Sequence, residues 1–557
     1  MTLSRDLLTG APSRRTLLRT TAGAGVLALP LAGVRPSAAA PPPRTSPFTL
    51  GVASGEPVAD GVVLWTRLAL DPLADDGLGG MPAQTYDVAW EVAESPRFSR
   101  PVRRGVVRAA PRTAHAVHVE VEGLRPGREY WYRFRLGRHL SPTGRTRTAS
   151  AAGTRTGALA MSFASCSQLE HGWFSAYRAL ADDEPDLVLH LGDYQYEYVA
   201  GDYVAPGGNV RDHDGPETTT LAGYRQRLAQ YRTDADLQAA HAVAPWLVVF
   251  DDHEVDNNWA DDVAEYPEES PALPARRAAA FRAYYENMPL RRSALPSGPD
   301  MQLYRRLHWG RLASFHMLDT RQYRDDQACG DGYRDCPDAA DPARSLPGWQ
   351  QERWLAAGFQ RSRATWDVLG QQVFLGRRDR SATPDLTVSM DAWDGYPASR
   401  DRVVSSWAGV RNPVVLTGDV HAHWASEVLA DFDDPDSQVV GSELVCSSIT
   451  SGGSGYDEPT GQHPWAAYNP NLRFWTNLRG YVRTRITPET FEADFRCVPQ
   501  VTQPGAAAFT RATFRLTDGR RGLEQVADNP APLVTTLRAP RTDAEKIADT
   551  LEAEGAG

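Results

Sequence analysis

Apolar and polar positions alternate through much of the chain from Phe48 to about Ser150, in the stretches VVLWTRL, TYDVAWEVA, HAVHVEVEGL and REYWYRFRLG. Such alternation, broken by Gly- and Pro-bearing turns, turns every second side chain toward a core. Residues 48–150 are therefore expected to form a small β-sandwich. After about residue 158 the pattern changes. Continuous apolar runs (MSFASC, DLVLHLGD, WLVVFDDHE, WDVLGQQVF, VVLTGDVH) alternate with helical patterns such as GWFSAYRALADD and PARRAAAFRAYYENM. Strands apolar on both faces and separated by helices predict an α/β domain over 158–515, its sheet covered on both faces. Strand-like RGYVRTRI and TFEADFRCV close that region. A capped helix is expected over 540–557, starting at Thr542 or Asp543. The segment APPPRTSP, 40–47, reads as a linker, and the chain has no internal repeat.

The first residues follow a different logic. Ser13-Arg14-Arg15-Thr16-Leu17-Leu18 precedes a small apolar stretch, 20–34, and then Ser37-Ala38-Ala39-Ala40. Paired arginines with two leucines behind them predict a twin-arginine export signal over 1–39, with an ordinary secretory signal as the alternative. Export by the twin-arginine machinery would make the protein secreted, and because that route carries folded chains it suits a protein loaded with metal. No other segment approaches the ~20 apolar residues of a membrane span. The formal charge of −11 offers no basic surplus for displacing counterions, which excludes a nucleic-acid carrier. Lys546 is the single lysine, so nearly every cation is an arginine.

Five cysteines in an exported chain leave at least one unpaired. Cys329 and Cys336 flank a short Gly/Asp loop and suit a local disulfide. Cys446 and Cys497 are then the candidates for a second bridge, and Cys166 is left over. A plain buried thiol is the simplest reading of a lone cysteine, but the company of Cys166 argues otherwise.

Four of the buried runs end in metal-ligating residue types. One ends at Cys166. A second ends at Asp193, with Tyr196 and Glu197 behind it. A third ends at Asp251-Asp252-His253-Glu254, with Asn258 close by, and the fourth at Asp419, with His421 and His423 following. Carboxyl ends of strands are where open α/β sheets build their sites. A single carboxylate there is ordinarily a helix cap, but four loaded ends are not explained that way.

GDxxY at 192–196, DDHE at 251–254 and GDxH at 418–421 resemble, in order and spacing, the motifs of the binuclear metallophosphoesterases. The purple acid phosphatase branch carries GDxxY, GNHE and GHxH. Such a set makes sense because one carboxylate can bridge two cations ~3.5–4 Å apart that clamp the attacking and leaving oxygens of an in-line displacement. This chain departs from that pattern. A Cys stands at the first motif, Asp252 replaces the Asn of GNHE, and Asp419 replaces the first His of GHxH. Those departures are similar to the PhoD family. SPFTLGVASGEPVADGVVLWTRLA, FASCSQ, HLGDYQYEY, DDHEVDNNWA, LDTRQYRDDQ, MDAWDGYPASRDRV, LTGDVHAHWAS and ITSGGSG extend the likeness over most of the chain. GLRPGREYWYRFR separately resembles the late strands of fibronectin-III-like domains.

The resemblance implies a metallophosphoesterase-like β-sheet core flanked by helices, preceded by a fibronectin- or Ig-like sandwich. It also implies that Cys166, Asp193, Tyr196 and His421 hold Fe³⁺. Asp193 would bridge to Ca²⁺ held by Asp252, Asn258 and Asp419, with Mn²⁺ or Zn²⁺ as substitutes. An all-oxygen second position suits Ca²⁺, while thiolate, phenolate and imidazole suit iron. His253 is the candidate catalytic acid or charge stabiliser, with a role in orienting Asp252 as the alternative. Arg277 is the candidate phosphate clamp, with Arg276 equally placed, and His423 is expected to line the pocket.

The implied activity is alkaline hydrolysis of phosphate mono- and diesters by metal-assisted attack of an oxygen nucleophile on phosphorus. Within the same site, a phospholipase D acting on lipid head groups is the alternative, with transient contact to a membrane surface. A secreted Ca²⁺-dependent binding protein is the alternative of another class, and it leaves the four loaded strand ends unexplained. No serine elbow and no HxKxxxxD motif is present. A monomer is expected.

Overall fold

The computed structural model describes residues 39–531 apart from 269, 271 and 435. The export signal expected over 1–39, Ala39 aside, and the helix expected over 540–557 lie outside the described residues.

Two large mixed sheets lie at the centre. The first has ten strands in the order Glu524–Asp528, Phe509–Thr517, Thr490–Val498, Arg479–Ile486, Leu159–Ala164, Leu187–Leu191, Pro245–Val249, Val52–Val58, Gly61–Arg67 and Ala116–Val121. The second has seven, in the order Arg305–Trp309, Ala313–Met317, Trp366–Gly370, Pro413–Thr417, Val439–Val445, His423–Leu429 and Leu472–Thr476. Leu159–Ala164, Leu187–Leu191 and Pro245–Val249 run parallel, with Leu189 level with Phe163 and Leu247. In the second sheet the strands from Ala313–Met317 to Val439–Val445 are also parallel.

Phe163, Leu189, Leu191 and Val482 of the first sheet share one buried cluster with Phe315, Met317, Val368, Leu416 and Leu444 of the second. Ser175–Asp182, Leu221–Arg232, Ala235–Val243 and Leu273–Asn287 contribute Leu180, Leu228, Leu237 and Phe281 to it. His190, on the opposite side of its strand from Leu189 and Leu191, accepts or donates a hydrogen bond at 2.8 Å with Tyr177 of the first of these helices. Trp349–Arg361 and Pro397–Ser405 pack Leu355, Phe359 and Val403 with Leu369 and Val415 of the second sheet. The β-sheet core flanked by helices is as expected, and the second cover of each central sheet is the other sheet. A strand buried on both faces reads as a continuous apolar run whether its second cover is a helix or a sheet.

The N-terminal β-rich domain is a sandwich, as its alternation predicts. Val62, Leu64, Val117 and Val119 pack against Val88, Val92, Tyr132 and Phe134 of the facing sheet, which is built on Tyr86–Ala93, Pro101–Ala109 and Glu129–Leu136. One of its two layers is not its own, however. Val52–Val58 pairs in parallel with Pro245–Val249, Ser54 opposite Pro245, so three N-terminal strands continue the ten-stranded sheet.

Cys329 and Cys336 are joined. Cys446 and Cys497 are not; both are free and fully buried, which corrects the second expected bridge. Cys446 follows a strand of the seven-stranded sheet and Cys497 lies within one of the ten-stranded sheet, so they pack in separate surroundings. Thiol counting on denatured, unreduced protein should therefore find three free cysteines. Replacing Cys329 and Cys336 by Ala should cost about 2–3 kcal/mol in denaturant unfolding, from reopening a short loop.

Candidate metal centre

The parallel strands of both sheets deliver their carboxyl ends to one place. Leu159–Ala164 runs into Ser165 and Cys166, Leu187–Leu191 into Gly192 and Asp193, Pro245–Val249 into Asp251–Glu254, and Pro413–Thr417 into Gly418 and Asp419. The sheets meet there, because Ser165 forms a parallel bridge with Ser448. Gly192 and Gly418 permit the approach. A Cβ at 192 would stand 2.4 Å from the Asp251 Cβ, and one at 418 would stand 2.8 Å from the Ser165 Cβ.

Cys166, Asp193, Asn258, Asp419 and His421 all adopt positive φ, between 45° and 65°. This left-handed region costs a side-chain-bearing residue about 1–3 kcal/mol. Five of the seven sequence-predicted ligands share it, and the surrounding sheets supply the packing that holds them there.

Three overlapping groups result: Cys166, Asp193 and His421; Asp193, Asp252 and His253; and Asp193, Asp251, Asp252 and Asp419. Within each group the ligand atoms lie within 4.8 Å of one another. Asp193 belongs to all three. Tyr196 stands beside it, its hydroxyl donating to Asp193 Oδ2 at 3.1 Å and lying 3.2 Å from His421 Nε2. Ser451 donates to the same hydroxyl at 2.8 Å.

Asp193 Oδ1, Asp251 Oδ2 and Asp252 Oδ1 are buried and accept no hydrogen bond. Buried carboxylate oxygens are almost always satisfied, so these orphans, crowded with like charge, fit cations. The donors also differ from one group to another. One group joins Asp193 to the Cys166 sulfur and the His421 imidazole, with the Tyr196 phenol beside it, whereas the four-membered group offers carboxylates alone. In the bare protein, burial and then Asp193 push the Cys166 thiol well up, and the same two causes raise the Tyr196 phenol. Burial, with Asp252 next, raises Asp193, and burial with Asp251 raises Asp419. A bound cation would reverse each of these directions.

Burial opposes ionisation of Asp252 too, but Arg321 and His253 outweigh it and hold that carboxyl below the usual range. Burial likewise opposes the charge on His253, and Glu197, Asp252 and Asp193 together raise it well above an ordinary histidine. His253 Nδ1 donates to Glu197 Oε2 at 2.9 Å.

Arg321 is the cation the sequence reading passed over. Fully buried, it donates from Nε to Asp251 at 2.6 Å and from a terminal nitrogen to Asp391 at 2.7 Å, and it stands 3.6 Å from Asp252. Arg324 shares Asp391 at 2.5 Å. Glu254 is a second omission. Its carboxylate accepts from the backbone N–H of Asp251, Tyr194 and Asp193 at 2.8, 2.7 and 3.1 Å, which ties two ligand-bearing strand ends together. Both residues lie in motifs already singled out, LDTRQYRDDQ and DDHE, but nothing in spacing marks them as supports.

Asn258 reaches the cluster through its backbone, donating its N–H to Asp252 Oδ2 at 2.9 Å. Arg277 does not reach it. Its guanidinium is nearly buried and donates to the carbonyls of Pro299 and Asp261 at 2.9 and 2.6 Å, with Asp261 and Asp262 as ionic partners. These contacts tie Arg277 to a neighbouring loop rather than to the carboxylate cluster, and among the described residues its second terminal nitrogen meets only Asp300, at 3.8 Å. Arg276 is engaged similarly, by Tyr224, Ser270 and Glu217. His423 is fully buried and accepts from the Ser447 N–H at 3.0 Å.

Strand-end carboxylates converging from two stacked sheets, with a histidine poised on a glutamate, define an α/β protein with a candidate metal centre. The comparisons narrow the class. Residues 160–495 match the PhoD-like phosphatase family, and 34–150 match the PhoD-like phosphatase N-terminal domain. Alkaline phosphatase D of Bacillus subtilis (strain 168) is 50% identical over 492 residues, spanning 88% of this chain and 84% of that protein. A solved structure of PhoD superposes with a TM-score of 0.88 at 48% identity, covering 93% of this chain and 99% of the other. The chain belongs to the PhoD-like phosphatase family and is a phosphoesterase.

Arg321→Met should leave Asp251 and Asp391 without their shared cation and destabilise the protein by about 3–5 kcal/mol in denaturant unfolding. Arg324→Met, which removes a similarly buried cation with one ion pair in place of three, should cost less.

Proposed function

We propose that the chain is a secreted phosphoesterase hydrolysing phosphate mono- and diesters at alkaline pH, with a mixed centre of Fe³⁺ and Ca²⁺. The observation that carries this reading is the asymmetry about Asp193. Cys166, Tyr196 and His421 would hold iron, and Asp252, Asn258 and Asp419 would hold calcium, with Asp193 shared. Bound there, the two cations supply the charge that steadies the attacking and leaving oxygens on phosphorus.

The chain's own part follows from its contacts. Glu197 holds His253 by Nδ1, which fixes the ring and leaves Nε2 to carry the proton offered to a leaving oxygen. Arg321 holds Asp251 and Asp391 in place and keeps Asp252 ionised for a cation. Glu254 fixes the spacing between Asp193 and Asp251 by accepting from both backbones. The pocket's acidity disfavours a phosphate anion until cations compensate it, so affinity for substrate depends on their presence.

Export is supported by the SRRTLL segment and by the Cys329–Cys336 bridge, which persists in oxidising compartments. Among the described residues no helix is long and apolar enough to cross a membrane.

A Ca²⁺-selective chelator should silence hydrolysis reversibly while a visible phenolate-to-iron band persists, and Tyr196→Phe should remove that band with the fold intact. Active protein that is colourless and iron-free by elemental analysis would refute the iron assignment. Comparing p-nitrophenyl phosphate, bis-p-nitrophenyl phosphate and phosphatidylcholine on one Ca²⁺-supplemented sample separates phosphatase, diesterase and phospholipase D action. Asp419→His should shift the preferred second cation from Ca²⁺ toward Zn²⁺ or Mn²⁺, read by adding each ion back to stripped protein.

A further inference from the structure

The disulfide loop lies against the oxygen-rich side of this centre. Of residues 329–335 none is buried. The loop is anchored instead by a few directed contacts. Cys336 sits in a small apolar cluster with Ala328, Ala339, Val388 and Met390. Tyr333–Arg334 pairs with Val388–Ser389, and the Gly332 carbonyl accepts from the Met390 N–H at 2.9 Å. The next residue after Met390 is Asp391, the partner of Arg321 and Arg324.

On its other side the loop grips Asn258. Asp331 Oδ2 accepts from Asn258 Nδ2 at 2.6 Å. Gln327, just ahead of Cys329, donates to the Asn258 carbonyl and to Asp391, both at 2.8 Å. An ionised carboxylate only accepts hydrogen bonds, so Asp331 faces the amide nitrogen of Asn258 and leaves Oδ1, the hard donor, for a cation. Asn258 also holds a left-handed φ of 45°, a conformation that its neighbours must maintain.

We propose that Asp331, carried on the loop closed by Cys329–Cys336, is a positioning residue for Asn258, so that the second cation is held at full affinity only in the oxidised chain. The proposal rests on the two-cation reading above. Its redox step is simple. A dithiol delivers two electrons and two protons to the Cys329–Cys336 bond, giving two thiols, and becomes its own disulfide. The loop then keeps only a two-residue strand and scattered hydrogen bonds to press Asp331 on Asn258. Coupling is reciprocal, so the factor by which the bridge tightens the cation is the factor by which the cation protects the bridge. A tenfold factor corresponds to a shift of about 30 mV in the reduction potential of this two-electron couple.

The test compares full-length wild type with Cys329→Ala/Cys336→Ala, Asp331→Ala and Asp331→Asn. Each is stripped of labile cation and titrated with Ca²⁺ by equilibrium dialysis, with iron measured separately. The Kd for Ca²⁺ should rise about tenfold or more in the cysteine variant and in Asp331→Ala, with iron content unchanged. Asp331→Asn, whose amide oxygen still accepts from Asn258, should stay within about threefold of wild type. Redox titration of the bridge, read by alkylation and mass, should move to more reducing potentials when Ca²⁺ saturates the protein. Should the cysteine variant fail to fold, the two Asp331 variants still decide the matter. Equal Kd in wild type and Asp331→Ala overturns the proposal, and so does an Asn variant as weak as the Ala variant, since charge rather than orientation would then be acting. A wild type that binds no Ca²⁺ overturns the two-cation reading as well, an outcome distinct from equal binding in all four.

Discussion

Crowding of buried negative charge is the constraint on which the rest of this molecule turns. Asp193, Asp251, Asp252 and Asp419 bring ligand oxygens within 4.8 Å of one another at the joined ends of two sheets. Left alone they would repel one another strongly in so little water. The chain answers with one fully buried guanidinium, Arg321, an imidazole held by Glu197, His253, and three backbone N–H groups gathered by Glu254. That answer is incomplete, since three buried carboxylate oxygens still accept nothing. The deficit is what fits the place to a cation rather than to a closed salt-bridge network.

Holding such an arrangement demands a rigid surround. Five predicted ligands sit in left-handed backbone conformations, and two glycines allow main chains to pass closer than any Cβ would permit. The strain is concentrated at the edge of the largest buried cluster of the protein, where seventeen strands in two sheets anchor it. Stability generated by the sheets is thereby used to keep ligands in positions they would not choose.

Much of this was legible in the sequence, and the reason is local. Cys166, Asp193, Tyr196, Asp252, Asp419 and His421 each follow an apolar run, and a residue placed just beyond a parallel strand projects at the sheet's end wherever that strand falls. What could not be read is what depends on distant partners. Arg321 meets Asp251 and Asp391 across 70 residues each. Arg277 is suited to phosphate by type, and its contacts with Asp261 and Pro299 leave no trace in the sequence around it. Cys446 and Cys497 were paired by counting, which ignores that each thiol is packed in a different sheet. The N-terminal sandwich was recognisable by alternation, whereas its sharing of a sheet with the catalytic core was not, because pairing of Ser54 with Pro245 leaves no local trace.

Strand order carries a further consequence for how the chain is made. The strand that delivers Cys166 has Arg479–Ile486 as its antiparallel neighbour, with Phe163 opposite Val482. During synthesis that flank stays open until the ribosome has added the intervening residues, on the order of tens of seconds at ordinary rates. Throughout that interval the first ligand rests on an unpaired sheet edge, a template for mispairing with other nascent chains. Completion of the site therefore waits on residues 479–486, which are made more than three hundred residues after Cys166.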